Sequence, residues 1–214
     1  MALFGFCVLA IDTAPLPCLA VENSASISGK FEPPVPALEI LYFSFEEITK
    51  LCDELSDCND ENPAVILANE IHSMCPKIYG SEDLTWVAAL RFRGQLEENA
   101  KMLAFHHSIP EQNHNEIEGW SSHPNLLATK RIIWLRDKDD HPRSLGRMEV
   151  TKKLLDGQAG KQLEIVEKGR SPLIRLLKMI HFNDWVSYYA ALLNNVDPTP
   201  VERIKKLKEE IAKQ

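Results

Sequence analysis

Lys130 to Arg136 reads KRIIWLR, a short apolar run with charged ends, and it constrains the fold more than any other stretch. It is the clearest strand in the chain, and a polar turn follows over Asp137 to Pro142. Gln162 to Glu167 (QLEIVE) alternates as a second strand, and Lys77-Ile78-Tyr79-Gly80 is a shorter one closed by glycine. Helical patterns lie between. Residues 44–57 open with Ser44, carry Glu47 three places on, and then repeat apolar residues at helical spacing, the pattern of a capping box. Residues 61–75 predict a helix with Val65, Ile66, Ala68, Ile71 and Met74 inward, ended by Pro76. Residues 83–106 predict another, with a break near Gly94 and a stop at Pro110. A helix over 144–156 ends at Gly157, and a long apolar one runs from Ser171-Pro172 to about Asn194. Asp197-Pro198-Thr199-Pro200 caps a last helix over 200–212. Helices alternating with short apolar strands predict an α/β fold, a layered sandwich with a parallel sheet.

The chain has 214 residues, enough for one domain with an additional arm. Pro15, Pro17, Pro33, Pro34 and Pro36 with Ser-rich sequence between mark an irregular arm over residues 1–38, and the domain is expected over 39–214. Residues 2–11 (ALFGFCVLAI) are apolar, but no Lys or Arg precedes them, which argues against a signal peptide. A buried strand is one alternative for them, and a leader foreign to the domain is another. No apolar run reaches the roughly 18 residues a membrane span needs. Five cysteines, an odd number without a C-x-x-C, fit reduced cytoplasmic thiols better than disulfides or a zinc site. A net charge of −7 argues against a general nucleic-acid binder. The charge is uneven, with 6 Lys/Arg against 19 Asp/Glu before residue 121 and 18 against 12 after it. Solvated faces of different sign explain this, and so does a basic half that attracts an anionic ligand. No glycine spacing matches a phosphate-binding loop.

Chemistry concentrates in Gln95 to Trp120, QLEENAKMLAFHHSIPEQNHNEIEGW. Glu98 ends one polar cluster and His114 stands in another, sixteen residues on, each with asparagine beside it. Glu98 is either a surface carboxylate at a helix bend or a general base tuned by burial, and Glu97 competes for the role. The asparagines flanking His114 are able to orient its ring. His106, His107 and His114 match no standard zinc spacing, so no metal site is expected. In the last helix Ile204, Leu207 and Ile211 are expected inward, leaving Lys208, among Lys205 and Lys206, best placed to reach a cleft. Trp120, Trp185, Tyr188 and Tyr189 read as core or interface residues, and the proximity of His72 to Cys75 is a weak coincidence.

The run GQLEENAKMLAF…IPEQNHNEIEGW, with the tail WVSYYAALLNNVDPTPVERIKKLK, resembles the C-terminal half of the bifunctional phosphoglucose/phosphomannose isomerases. The elements ENAK, PE-x-NHNE-x-x-GW and DPTPV-x-x-I-x-x-LK carry the resemblance, which spans about residues 40–214. It implies a sugar-isomerase (SIS) domain, a three-layer αβα sandwich with a parallel sheet. It also implies interconversion of glucose 6-phosphate or mannose 6-phosphate with fructose 6-phosphate, without metal or organic cofactor. Glu98 would move the proton between C2 and C1. His114 would assist ring opening in the neighbouring subunit of a homodimer. Lys208 would lie by the sugar oxygens, with Lys206 as the alternative because the register rests on one short helix. A family member carries a first SIS domain upstream, with serine/threonine phosphate loops and an arginine near the substrate. Ser24, Ser26 and Ser28 do not form such a loop, so little or no activity is expected of the chain alone. A non-catalytic sugar-phosphate-binding or dimerisation module is the alternative.

Overall fold

The computed structural model describes the backbone over residues 35–214 and side chains from Phe45 onward. The apolar run at 2–11 and the Pro- and Ser-rich stretch up to residue 34 lie outside the described residues.

Four strands pair in parallel: β1 (Cys75–Ser81), β2 (Phe105–Ile109), β3 (Lys130–Arg136) and β4 (Lys161–Val166), in the order β2-β1-β3-β4. From β1 the chain crosses to β2, then reverses direction and passes β1 to reach β3 and β4. Right-handed crossovers therefore put the first connection on one face of the sheet and the later ones on the other. The first is α3 (Trp86–Glu98). The later ones are α4 (Glu116–Gly119), α5 (Pro124–Ala128) and α6 (Pro142–Leu154). The α3 face also takes α1 (Val35–Ser56), α2 (Pro63–Ile71) and α7 (Pro172–Leu193), which completes the three layers.

Strand alternation sorts the core. Ile78, Ile133, Leu135 and Ile165 point to the α1, α2, α3 and α7 side, while Tyr79, Ile132 and Trp134 point to the α6 side. In register, Ile78 lies opposite Ile133 and Tyr79 opposite Trp134, so each face has its own apolar ladder. Glycine stands at position 80, next to last in β1, because α3 starts almost on top of it. A Cβ there would stand 2.6 Å from the Thr85 carbonyl carbon.

α7 is the spine of its layer and packs against α1, α2 and α3. Ser171 caps it by accepting from Ile174 N at 3.2 Å, with Pro172 in the first turn. One turn on, Arg175 is 1% exposed and donates to both oxygens of Asp137, at 2.6 and 2.8 Å, just past the end of β3. It also bonds Asp139 Oδ2 at 2.6 Å and the Gly169 carbonyl at 3.2 Å. Burial is the largest influence on the Asp137 carboxyl and pushes it up, but the Arg175 hydrogen bonds, the Asp139 N–H and the Arg175 and Lys138 charges together hold the group below its ordinary value.

Several expectations need correction. Ser44 does not start a helix: α1 begins at Val35, next to Pro36, and the capping-box pattern falls in its middle. In α2 the buried positions are Ala64, Leu67, Ala68 and Ile71, while Ile66 is 48% exposed, so the predicted inward stripe was partly out of phase. The helix expected over 83–106 ends at Glu98, and 105–109 forms the edge strand β2. An edge strand carrying His106, His107 and Ser108 lacks the apolar signature of a central one. The last helix, α8 (Glu202–Ile211), has no buried residue. Ile204, Leu207 and Ile211, expected inward, are 39%, 59% and 58% exposed.

Replacing Asp137 by Asn leaves the Arg175 cation buried with only Asp139 as an acid partner. The expected cost is about 3 kcal/mol at neutral pH, measured by urea unfolding. Because the folded-state value of Asp137 is depressed, its contribution is complete above the ordinary carboxylate value of 3.8 and is lost as pH falls through the lowered one. The gap between wild type and variant therefore narrows in acid.

Candidate functional site

The two ends of the Gln95 to Trp120 segment fall on opposite edges of the sheet. α3 descends from the C-terminal end of β1, so its last residue, Glu98, lies at the N-terminal edge. No glycine or proline stops the helix there. Asn99 takes the cap position, Ala100 is buried, and Lys101 has a φ of 57°, in the left-handed region. That conformation costs a residue with a Cβ about 1–2 kcal/mol, so its surroundings must hold it. Asn99 Nδ2 donates to Ser187 Oγ at 2.9 Å, and Asn194 Nδ2 to the Ala100 carbonyl at 2.9 Å. Lys101 Nζ donates to the carbonyls of Glu98 at 2.5 Å and Pro200 at 2.7 Å. Two turns and one turn earlier, Arg91 and Gln95 donate to the Asp184 carboxylate at 2.8 and 3.0 Å. The turn is thus held by the lower half of α7 and the segment beyond it. Glu98 is half-buried, and among the described residues its carboxylate has no hydrogen-bond or ion-pair partner. Glu97, by contrast, meets Arg93 at 3.8 Å.

His114 follows β2, at the C-terminal edge. Its loop is pinned on both sides. A cis Ile109-Pro110 bond opens it, and backbone bonds from Asn113 N to Pro110 O at 3.0 Å and His114 N to Glu111 O at 2.9 Å make a single tight turn. Asn113 Nδ2 donates to Thr151 Oγ1 on α6 at 2.7 Å, and Asn115 Nδ2 to Glu111 Oε1 at 2.9 Å. Glu116 accepts from Lys77 Nζ at 2.6 Å and from the Tyr79 hydroxyl at 2.9 Å, and Trp120 Nε1 donates to the same hydroxyl at 3.1 Å. Burial and the Glu116 charge push the Tyr79 phenol far up, so it stays a donor. The amide nitrogens of both asparagines are therefore engaged, by α6 and by the loop, and neither side chain hydrogen-bonds the His114 ring, contrary to the orienting role expected of them. The ring is exposed and without a partner among the described residues.

β2 alone separates the two groups by about 13 Å of strand, so one chain does not bring Glu98 and His114 together. Lys208 and Lys206 lie on α8, whose approach passes the Glu98 turn at Pro200, but neither lysine contacts it. Open α/β sheets hold ligands at the C-terminal edge where strand order reverses, here between β1 and β3. That crevice is filled by the protein's own groups. Ser81 N donates to Thr85 Oγ1 at 2.8 Å, Thr85 Oγ1 to the Leu135 carbonyl at 3.0 Å, and Ser81 Oγ to Asp83 Oδ2 at 2.7 Å. Asp83 also accepts from His141 N at 2.9 Å, and these bonds hold its carboxyl below the ordinary value. Asp140 nearby is pushed up by burial. An acid-lined crevice with occupied hydroxyls repels a phosphate. Among the described residues no three His, Cys, Asp or Glu side chains are placed to hold a metal ion.

Sequence reasoning missed the supports. Asn194 and Ser187 reach Glu98's turn from 94 and 88 residues away, and Thr151 reaches His114's loop from another helix. No local pattern signals such partners, although Asn194 lies within the LLNNVDPTP tail.

Fold and site together define a parallel αβα domain that presents a carboxylate at one sheet edge and an imidazole at the other. Residues 60–211 match the bacterial phospho-glucose isomerase C-terminal SIS domain, and the chain belongs to that family. It is 36% identical to the bifunctional phosphoglucose/phosphomannose isomerase of Caldicellulosiruptor bescii over 173 residues, covering 78% of this chain and 51% of that protein. It is 38% identical to the enzyme of the same name from Aquifex aeolicus over 147 residues, covering 69% and 45%. The chain thus spans about half the length of the curated relatives it matches. Among solved structures, a glucose-6-phosphate isomerase like protein from Thermus thermophilus has the same fold, with a TM-score of 0.61 at 20% identity over 76% of this chain and 55% of that one.

Two substitutions separate support from presentation. Asn194→Ala removes the donor to the Ala100 carbonyl and is expected to lower unfolding free energy by about 1–2 kcal/mol. His114→Ala is expected to change it by less than about 0.5 kcal/mol. Denaturant titration of both variants against wild type checks the pair.

Proposed function

We propose that this chain supplies the acid–base half of a sugar-phosphate aldose–ketose isomerase acting between fructose 6-phosphate and glucose 6-phosphate or mannose 6-phosphate. The observation that carries it is the rigidly held Glu98 turn with an unpartnered, half-buried carboxylate, within a chain 36% identical to a bifunctional phosphoglucose/phosphomannose isomerase. Isomerisation removes a weakly acidic proton beside a carbonyl and returns it to the next carbon through an enediolate. One carboxylate at a fixed position serves both transfers. In this reading Glu98 is the base, His114 protonates the ring oxygen, and Lys208, with Lys206 as the alternative, stabilises the developing oxyanion. The separation of Glu98 and His114 within one chain favours a homodimer in which each His114 serves the partner's Glu98. Residues 39–214 form the working domain, extended by the turn of α1 that starts at Val35, and residues 1–38 include the arm. Free thiols at Cys52, Cys58 and Cys75 favour a cytoplasmic setting. No described helix is long and apolar enough to cross a membrane.

The filled crevice between β1 and β3 favours a second reading, a domain that binds sugar phosphate or dimerises without turning substrate over. Fructose 6-phosphate turnover discriminates, with the chain alone and with the unmatched part of the Aquifex aeolicus relative, expected to hold a first SIS domain, added as a separate protein. Little turnover is expected alone. With the added domain, turnover is expected to fall about 10²- to 10⁴-fold in Glu98→Gln. Equal rates for wild type and Glu98→Gln overturn the isomerase reading. A 6-phosphosugar-dependent change in tryptophan fluorescence without any turnover supports the binding module.

A further inference from the structure

α8 is tied to the domain at its start and not along its length. None of its residues is buried. Asp197 Oδ1 accepts from Thr199 N at 2.8 Å and folds Asp197-Pro198-Thr199-Pro200 into a turn. Lys101 Nζ then reaches the Pro200 carbonyl at 2.7 Å and, with the same ammonium, the Glu98 carbonyl at 2.5 Å. The Asp197 carboxyl is held below its ordinary value by bonds from Thr199 and, to a smaller degree, by the charge of Lys101.

Residue type and backbone disagree at position 101. A φ of 57° just past a helix end is where glycine or asparagine is the usual residue. A lysine there gives up backbone ease, and strain of this kind persists where the surroundings use the residue. Neither glycine nor asparagine carries a donor long enough to bridge carbonyls a hundred residues apart in the chain. The ammonium is what this position holds that the usual residues lack.

We propose that Lys101 is a positioning residue that couples the turn carrying Glu98 to the segment leading into α8. It fixes where the lysines of α8 stand relative to the Glu98 carboxylate. Its catalytic meaning rests on the reading of Glu98 as the base, whereas the coupling itself does not.

Backbone ¹⁵N order parameters of residues 202–211, measured by NMR on the full chain, test the coupling. In wild type they are expected to match the rigid backbone, about 0.85, and in Lys101→Met to fall to about 0.6 or below. Lys101→Arg, which keeps a long cationic donor, is expected to hold the wild-type values. Lys101→Gly removes the same two bonds while suiting the left-handed backbone, so it separates side chain from strain and stays informative if Lys101→Met folds poorly. Wild-type order parameters in both Lys101→Met and Lys101→Gly overturn the coupling. In the isomerase assay with the added domain, Lys101→Met is expected to lower kcat about tenfold with KM held, and Lys101→Arg to recover it. Unchanged kcat in Lys101→Met overturns the positioning role. A wild-type protein without turnover removes the isomerase reading and leaves the coupling to be judged by the order parameters.

Discussion

The buried pairing of Arg175 with Asp137 is the contact on which the arrangement of the domain depends. It joins the top of α7 to the end of β3, the inner strand that pairs with both β1 and β4. With that end fixed, a straight helix places its far end about 28 Å away, at the opposite edge of the sheet. There Ser187 and Asn194 meet the Asn99-Ala100 turn. An ion pair at one edge therefore decides where the backbone of Glu98 is held at the other. A buried pair is weak evidence of net stability, because desolvation offsets much of the attraction. Its value here is directional: bidentate geometry accepts one orientation of α7 and few others.

The class of fold was legible because it rests on the strongest periodic signals. KRIIWLR became β3 at its predicted bounds, and QLEIVE became β4 shifted by one residue. The long helix from Ser171-Pro172 formed as its cap required. β2 was missed because a polar edge strand looks like the tail of the helix before it. The true break lies at Lys101, where the chain turns without the glycine or proline that would announce it. α8 was misjudged for a different reason. Its amphipathic spacing was read correctly, but spacing does not say whether a partner covers the stripe.

The candidate residues were legible as types and not as geometry. Glu98 and His114 both stand at fixed backbone positions with unengaged side chains, and both were singled out from their flanking asparagines. The asparagines mattered for another reason. They bond to Ser187, Thr151 and Glu111, so they stiffen the chain beneath the ionisable group and leave the group itself bare. A rigid mount with a free head is what a side chain needs when its partner comes from elsewhere. Tyr79 shows the limit of pattern reading. It looked like one core strand residue among several, yet its hydroxyl gathers Glu116 and Trp120 into the mount of His114.

The edges of the sheet carry one more consequence. β2 has five residues and two histidines, and β4 carries Lys161 and Glu164 engaged with Glu70, Arg136 and Lys152. Short edges broken by polar or charged residues are poor templates for a further strand. Growth of the sheet by backbone pairing is thereby discouraged on both sides. That leaves the side chains on the described helices and loops as the favoured means of contact, so the choice of partner there is written in residues and not in the shared geometry of β-structure.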